Sequence, residues 1–241
     1  MPRSAVLVAL YLAGCEPPLA HQALPELAAA ARAPAPLAAR LRLPPGESLI
    51  WTVSLHGLTI GRVELVTGPD EVHSRFRTGG LASSVASVRH DLVTGLDRAA
   101  ARASTERETL VVDGETTDVS ATFDAAGYSV AGRAHAVPGG VHTLHTALGV
   151  VRAWAELDAG PGYLFVVHAG KLFRLDLAQP SPAELQGTRA LRVEGHIRPV
   201  AHDGDAFAIA LWLSADPTRR PLRIEIRTDA AQLTAELVPA S

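Results

Sequence analysis

The chain of 241 residues has a single cysteine, a single methionine, one lysine and no asparagine. One cysteine excludes an intramolecular disulfide framework. Arginine stands almost everywhere that lysine would, and alanine is abundant. That skew reads as genome composition rather than as function. The net charge is −3 with neutral histidines, and no basic block stands out. A general nucleic-acid binder, which concentrates cations on one face, is therefore excluded. No apolar run reaches the ~20 residues that a membrane-spanning helix needs. Catalytic signatures are missing too: there is no Gly-x-Ser-x-Gly elbow, phosphate loop, dinucleotide fingerprint or His-Glu-x-x-His pair. Gly160-Pro161-Gly162 is a loop, not a nucleotide cradle. No cofactor is implied.

The N-terminus is distinctive. Met1-Pro2-Arg3 is a short cationic start, residues 4–12 are almost wholly apolar, and the run ends Leu12-Ala13-Gly14-Cys15. A positive start, a short apolar stretch and small residues before a cut describe an export signal. Leu-Ala-Gly-Cys resembles the lipobox of bacterial lipoproteins. The resemblance implies a diacylglycerol thioether on Cys15, cleavage after Gly14 and acylation of the new amino group. One acyl chain holds a protein marginally, whereas two or more hold it stably at ~0.8 kcal/mol per buried CH₂. The expected partner is thus a membrane, reached through Cys15, in the bacterial cell envelope. Glu16 follows the cysteine. The aspartate that favours inner-membrane retention is absent, which points to the outer membrane, facing the periplasm. Residues 15–45 are rich in alanine and proline and read as a tether with a reach of roughly 30 Å. The division expected is a signal over 1–14, a lipidated tether over 15–45 and a β-rich domain over 46–241.

In that domain Leu49, Trp51, Val53 and Leu55 alternate with mostly polar residues, the period of a half-buried strand. Leu58 and Ile60 resume the pattern after His56-Gly57. Val63 and Leu65 continue it out of phase, which predicts a β-bulge at Gly61-Arg62. Asp113-Gly114 predicts a two-residue hairpin between strands over 103–112 and 115–123. Further strands are expected over 163–168, 171–177, 188–199, 207–213, 221–227 and 232–238. Residues 81–88 read as an ambiguous helical turn. Residues 142–156 read as one amphipathic helix, with Leu144, Leu148, Val151 and Ala155 on its apolar stripe and His145, Arg152 and Glu156 on other faces. The fold class expected is mainly β: an antiparallel barrel-like or strongly wrapped sheet with one short amphipathic helix.

The domain from Gly46 to Val238 resembles the bacterial family called domain of unknown function 3108. The residues that carry the resemblance are Gly46-Glu47-Ser48-Leu49, Gly61, Phe123-Asp124, the helix region at Leu144 and Trp154, Leu211-Trp212-Leu213-Ser214-Ala215-Asp216, and Arg220-Pro221. Before the helix, Val141-His142 stands where that family carries an acidic residue. The resemblance implies an exported, mainly β protein with no established catalytic residues.

Three constellations invite chemistry. His142 and His145 share a helix face and are weak candidates for one metal. A zinc site needs at least a third ligand, for which His135 or Glu156 are conceivable, so surface or packed histidines are the plainer reading. Asp216-Pro217-Thr218-Arg219-Arg220-Pro221 reads first as a β-turn and second as an anion-holding loop. The strand over 207–213 is apolar on both faces, which requires cover on both sides or a greasy cavity. Glu106, Glu108 and Glu115 read as solvated strand faces.

The function expected is a non-catalytic envelope module that binds an apolar or amphiphilic ligand or an envelope protein. For a ligand between helix and sheet the candidate contacts are Leu144, Leu148, Val151 and Trp212, with Arg152 or Arg174 at the mouth. The alternatives are a hydrolase acting on an envelope glycan or lipid, and a structural component of an envelope assembly.

Overall fold

The computed structural model describes residues 35–38, 40–200 and 204–239. The expected signal, Cys15 and the tether as far as residue 34 lie outside the described residues. Nine strands precede the helix: β1 (Ala35–Pro36), β2 (Ser48–Leu55), β3 (Leu58–Thr67), β4 (Glu71–Thr78), β5 (Val88–Asp97), β6 (Arg102–Val112), β7 (Glu115–Phe123), β8 (Gly127–Val130) and β9 (Arg133–Ala136). The helix α1 spans Leu144–Trp154. After it come β10 (Gly162–His168), β11 (Lys171–Leu177), β12 (Ser181–Leu185), β13 (Thr188–Pro199), β14 (Phe207–Ser214), β15 (Pro221–Arg227) and β16 (Gln232–Leu237). A 3₁₀ turn at Gly80–Ser84 falls where the helical turn was expected.

These strands form one large wrapped, barrel-like sheet, antiparallel except for β1 on β10. Two runs of antiparallel strands build it, β2 through β9 in order and β10, β11, β13, β14, β15 and β16, with β12 pairing only β13. They join where β16 pairs with β2, from Leu233↔Leu55 to Leu237↔Trp51. At the far side the free edge of β10 is covered by β1 and by His142, which bridges Val166. Covering an edge in this way removes a template for unwanted pairing.

Helix α1 lies inside the wrap. Thr143 caps it, accepting from the Thr146 backbone N–H, and the Thr146 hydroxyl accepts from the Thr143 backbone N–H in return. Ala147, Val150, Val151 and Ala155 pack on Leu164, Val166, Leu175, Leu177, Val193, Leu211 and Leu213. The expectation of one buried stripe is corrected here. His145, Thr146, Gly149 and Arg152 are buried as well, while Leu144 is partly exposed. A helix packed within the wrap keeps little solvent face, and its polar residues here fall on the enclosed side.

Residues read as the end of the tether also belong to the packed domain. Leu43 is buried, the Arg42 backbone N–H donates to the Gly149 carbonyl, and Leu37 and Leu41 pack beside α1. A Cβ on Gly149 would lie 2.7 Å from the Leu43 side chain, so the helix and this entering segment meet in direct contact. The proline-rich composition hid an apolar pattern at Leu37, Leu41 and Leu43.

The bulge falls one residue before the expected pair. Val53 faces Gly61 and Ser54 faces Thr59, which leaves Ile60 unpaired. Gly61 itself lies so close to β4 that a Cβ would fall 2.2 Å from the Arg77 carbonyl oxygen. Strand β14 has the double cover that its sequence requires. Ile209, Leu211 and Leu213 face α1, whereas Ala210 and Trp212 face outward under Ala183, Leu185 and Leu222, with the guanidiniums of Arg192 and Arg223 at 5.1 and 5.5 Å from the indole.

Candidate functional site: a buried carboxylate and histidine cluster

The inner face of the sheet is mostly apolar, and its polar side chains gather on β4, β5 and β6, with His168 of β10 beside them. There Ser74, His90, Thr94, Glu106 and Glu108 point inward; Leu92 pairs with Glu108 and Thr94 with Glu106. Glu106 is only 3% exposed and Glu108 is buried beside it. Their reading as solvated strand faces is therefore wrong. The signal was in the sequence: Leu110 and Val112 share their parity, and it is these apolar residues that fix which face of β6 turns inward.

Glu108 joins three elements. His90 Nε2 lies 2.8 Å from its Oε1, and the Ala169 backbone N–H donates to Oε2 at 2.9 Å. A carboxylate only accepts, so His90 carries its proton on Nε2. His168 Nδ1 stands 3.4 Å from Oε2, and its ring meets that of His90 edge-on. Burial alone would raise the Glu108 pKa; the His90 hydrogen bond, the two nearby imidazoles and the Ala169 N–H outweigh it and hold the group below the usual carboxylate range. Burial pulls His168 the other way, to a lower pKa. Glu106 has no such help. Its Oε2 has no hydrogen-bond partner among the described residues, and burial, with the Glu108 charge, pushes its pKa up to about 8. Two carboxyls on neighbouring inward positions are thus held in opposite protonation states at neutral pH.

Around the helix start the polar groups satisfy one another. Ser74 Oγ lies 2.8 Å from His145 Nε2, His145 Nδ1 lies 2.9 Å from Thr94 Oγ1, and Thr94 donates to Thr143 at 3.2 Å. One neutral tautomer satisfies every link: Nδ1–H donates to Thr94 and Nε2 accepts from Ser74. Burial lowers the His145 pKa to about 3 and that of His142 to about 4. His142 leaves Nδ1 unpartnered, while its main chain bridges to β10. Both histidines are packed residues. Among the described residues no group of three or more His, Cys, Asp or Glu is arranged to hold a metal ion.

The residues expected to line a helix–sheet ligand site are not gathered in one place. Val151 faces β10, β11, β13 and β14, Leu148 packs between the two main apolar clusters, and Leu144 is partly exposed. Trp212 lies on the outer face of β14, away from α1. Arg152 is fully buried rather than at a mouth. It holds Glu47 through both terminal nitrogens at 2.6 and 2.9 Å and donates to the carbonyls of Arg219 and Thr218. Arg174 stacks on Tyr163 and pairs with Asp176 on the outer face. The loop at Asp216 is a turn: Asp216 accepts from the Thr218 backbone N–H at 2.7 Å, and Arg219 pairs with Glu156 and caps α1 through the Ala155 carbonyl.

A carboxylic acid beside a carboxylate has the form of an acid–base pair, but both groups here are shut inside the sheet. An outer groove of about 500 Å³ runs under the β3–β4 turn past Glu71, Val93, Gly95, Thr105 and Arg107. Residue 106 reaches that groove only through its main chain, because its side chain points to the opposite face from Thr105 and Arg107.

No protein-family model and no curated protein matches the chain. Among solved structures, a beta-barrel-like protein of domain of unknown function DUF1849 from Brucella abortus superposes with a TM-score of 0.56 at 12% identity, over 83% of this chain and 98% of that one. This likeness is one of fold alone. A DUF1089 family protein from Pseudomonas aeruginosa (TM-score 0.40, 11% identity, 83% and 95% coverage) and LprF from Mycobacterium bovis (0.27, 15%, 80% and 87%) are more distant, and those scores support nothing further.

Proposed function

We propose that this chain is an envelope lipoprotein, exported by residues 1–14 and anchored through acylated Cys15, whose domain is a non-catalytic binding module working from its outer surface. The observation that carries the second half is the filled interior. Helix α1 occupies the wrap, Gly149 lies against Leu43, Glu108 is engaged with His90 and the β10–β11 turn, and Glu106 is buried beside it. What the module recognises must then reach it from outside. The lipobox-like Leu12-Ala13-Gly14-Cys15 supports the first half. No helix among the described residues is long and apolar enough to cross a membrane, so a lipid anchor would supply the attachment. The outer membrane is the proposed site, and domain of unknown function 3108 the proposed family, on the residues named above. The split ionisation of Glu106 and Glu108 favours a hydrolase as the second reading, and their burial weighs against it.

The anchor is tested by Cys15→Ser. Wild type should incorporate an alkyne fatty acid and sediment with membranes; the variant should do neither. A variant that is processed and labelled like wild type would overturn the anchor. The module is tested by photo-crosslinking in intact cells from the outer face. A defined adduct is expected, and hydrolysis of an envelope glycan or lipid that Glu106→Gln abolishes would replace this reading with the enzymatic one.

A further inference from the structure

Six large apolar residues are exposed to differing degrees among the described residues, and three of them lie on β3 and on the turn held against it. Leu58 starts β3 and is 74% exposed; Leu81 and Val85, in and just after the 3₁₀ turn, are 89% and 59% exposed. The turn is held to β3, where the Gly79 backbone N–H donates to the Ile60 carbonyl. Beside this corner, on the outer face, three arginines stand side by side on adjacent strands. Arg62 pairs in register with Arg77, and Arg77 with Arg89. Like charges directly opposite on a sheet destabilise it. Arg89 has Asp91 as a partner at 2.8 Å, whereas Arg62 and Arg77 have no ion-pair partner among the described residues. Of the acids near the corner, Asp113 accepts from the Ser87 backbone N–H, Asp91 also takes Arg75, and Glu64 stands opposite Arg75, on whose guanidinium its charge acts.

We infer that this corner docks on an anionic phospholipid surface. The chemistry matches on two counts. A protruding apolar tip flanked by arginines suits the headgroup–acyl boundary, where apolar side chains enter and guanidiniums stay among the phosphates. A row of cations that repel one another is relieved by anions brought from outside, and each cation near an anionic surface contributes attraction there. The inference rests on the anchored reading above, because a chain already held to a leaflet needs only weak docking to stay down. The 19 residues between Cys15 and Ala35 span at most about 65 Å, so domain and leaflet remain within reach of each other.

The test removes the anchor. The full chain carrying Cys15→Ser, made without acylation, is sedimented with vesicles of phosphatidylcholine alone or of an equimolar mixture with phosphatidylglycerol. It should bind the anionic vesicles, weakly and less at high salt, and not the neutral ones. Arg62→Gln with Arg77→Gln should weaken binding roughly 25-fold, about five-fold per charge. Leu81→Asp should weaken it independently. The melting temperature of the arginine variant should hold or rise, since removing like charges relieves the sheet. Equal affinity for neutral vesicles, no binding at all, or binding untouched by the variants would each overturn the docking. If those arginines instead abolish an envelope cross-link while vesicles are ignored, the partner is an acidic protein: the lipid docking fails and the binding-module reading stands.

Discussion

At the scale of single residues, the setting of Glu106 departs far from its solution chemistry. Its folded pKa of about 8 lies above an ordinary 4.5, so between those values the folded state holds a proton that the unfolded state has lost. Stability therefore falls as pH rises through that window. His142 and His145 act oppositely. Their pKa values drop from 6.5 to about 4 and about 3, so the unfolded state takes protons first and stability falls as pH drops below 6.5. The two trends cross near pH 6.5, where stability should be greatest. Glu106→Gln should flatten the alkaline limb between about pH 6.5 and 8, where wild type loses up to about 1.4 kcal/mol per pH unit, and leave the histidine-driven loss on the acid side in place. Urea titrations of both proteins across that range decide it. Parallel alkaline limbs would show that Glu106 does not titrate as its burial requires.

Among the elements, the seam between β6 and the β10–β11 hairpin depends most on one side chain. Backbone pairing does not join these strands. Glu108 reaches across to the Ala169 N–H, and Phe165, Val167 and Leu172 meet Ala103, Ala121 and Phe123 beneath it. Glu108→Ala would leave the Ala169 N–H and the His90 ring without their buried acceptor, at a cost of about 1–3 kcal/mol. Glu108→Gln keeps an acceptor and should cost less. Hydrogen exchange should show the amides of the 168–171 turn released first in Glu108→Ala. A loss within ~0.5 kcal/mol, the range of ordinary surface changes, would mean that the apolar contacts alone hold the seam.

For the molecule as a whole, the governing fact is that the wrap is full. Ala147 is buried against the inner faces of β10, β11, β13 and β14. Ala147→Trp should overpack and destabilise by about 1–3 kcal/mol, and a fluorescent fatty acid should gain no saturable site in wild type. Saturable binding that Ala147→Trp blocks at little cost in stability would restore an internal ligand cavity and remove the argument for recognition from outside. The same fullness explains Arg152. A fully buried guanidinium is carried only if its donors are met, and Glu47 with the Thr218 and Arg219 carbonyls meets those of Arg152. Unpaired, such a buried charge would be strongly destabilising.

Much of this was legible in the linear chain, because it depends on neighbours in sequence. Period-two alternation marked most of the strands, Asp113-Gly114 marked a hairpin, and the apolar spacing after His142 marked the helix. The short strands β9 and β12 escaped, being polar and interrupted by Pro182 in the latter. What remained illegible depends on partners far along the chain. What meets the Glu108 carboxylate is decided by Ala169, 61 residues away, and whether Arg152 reaches a mouth or a carboxylate is decided by Glu47, 105 residues away. Trp212 and Leu213 alternate on one strand, and only the wrap sends one under β12 and the other onto α1. Local pattern sets what an element is, which residues share a face and which face is apolar; wrapping of the sheet around the helix sets which distant partners meet that face, because burial is a property of the whole packed chain.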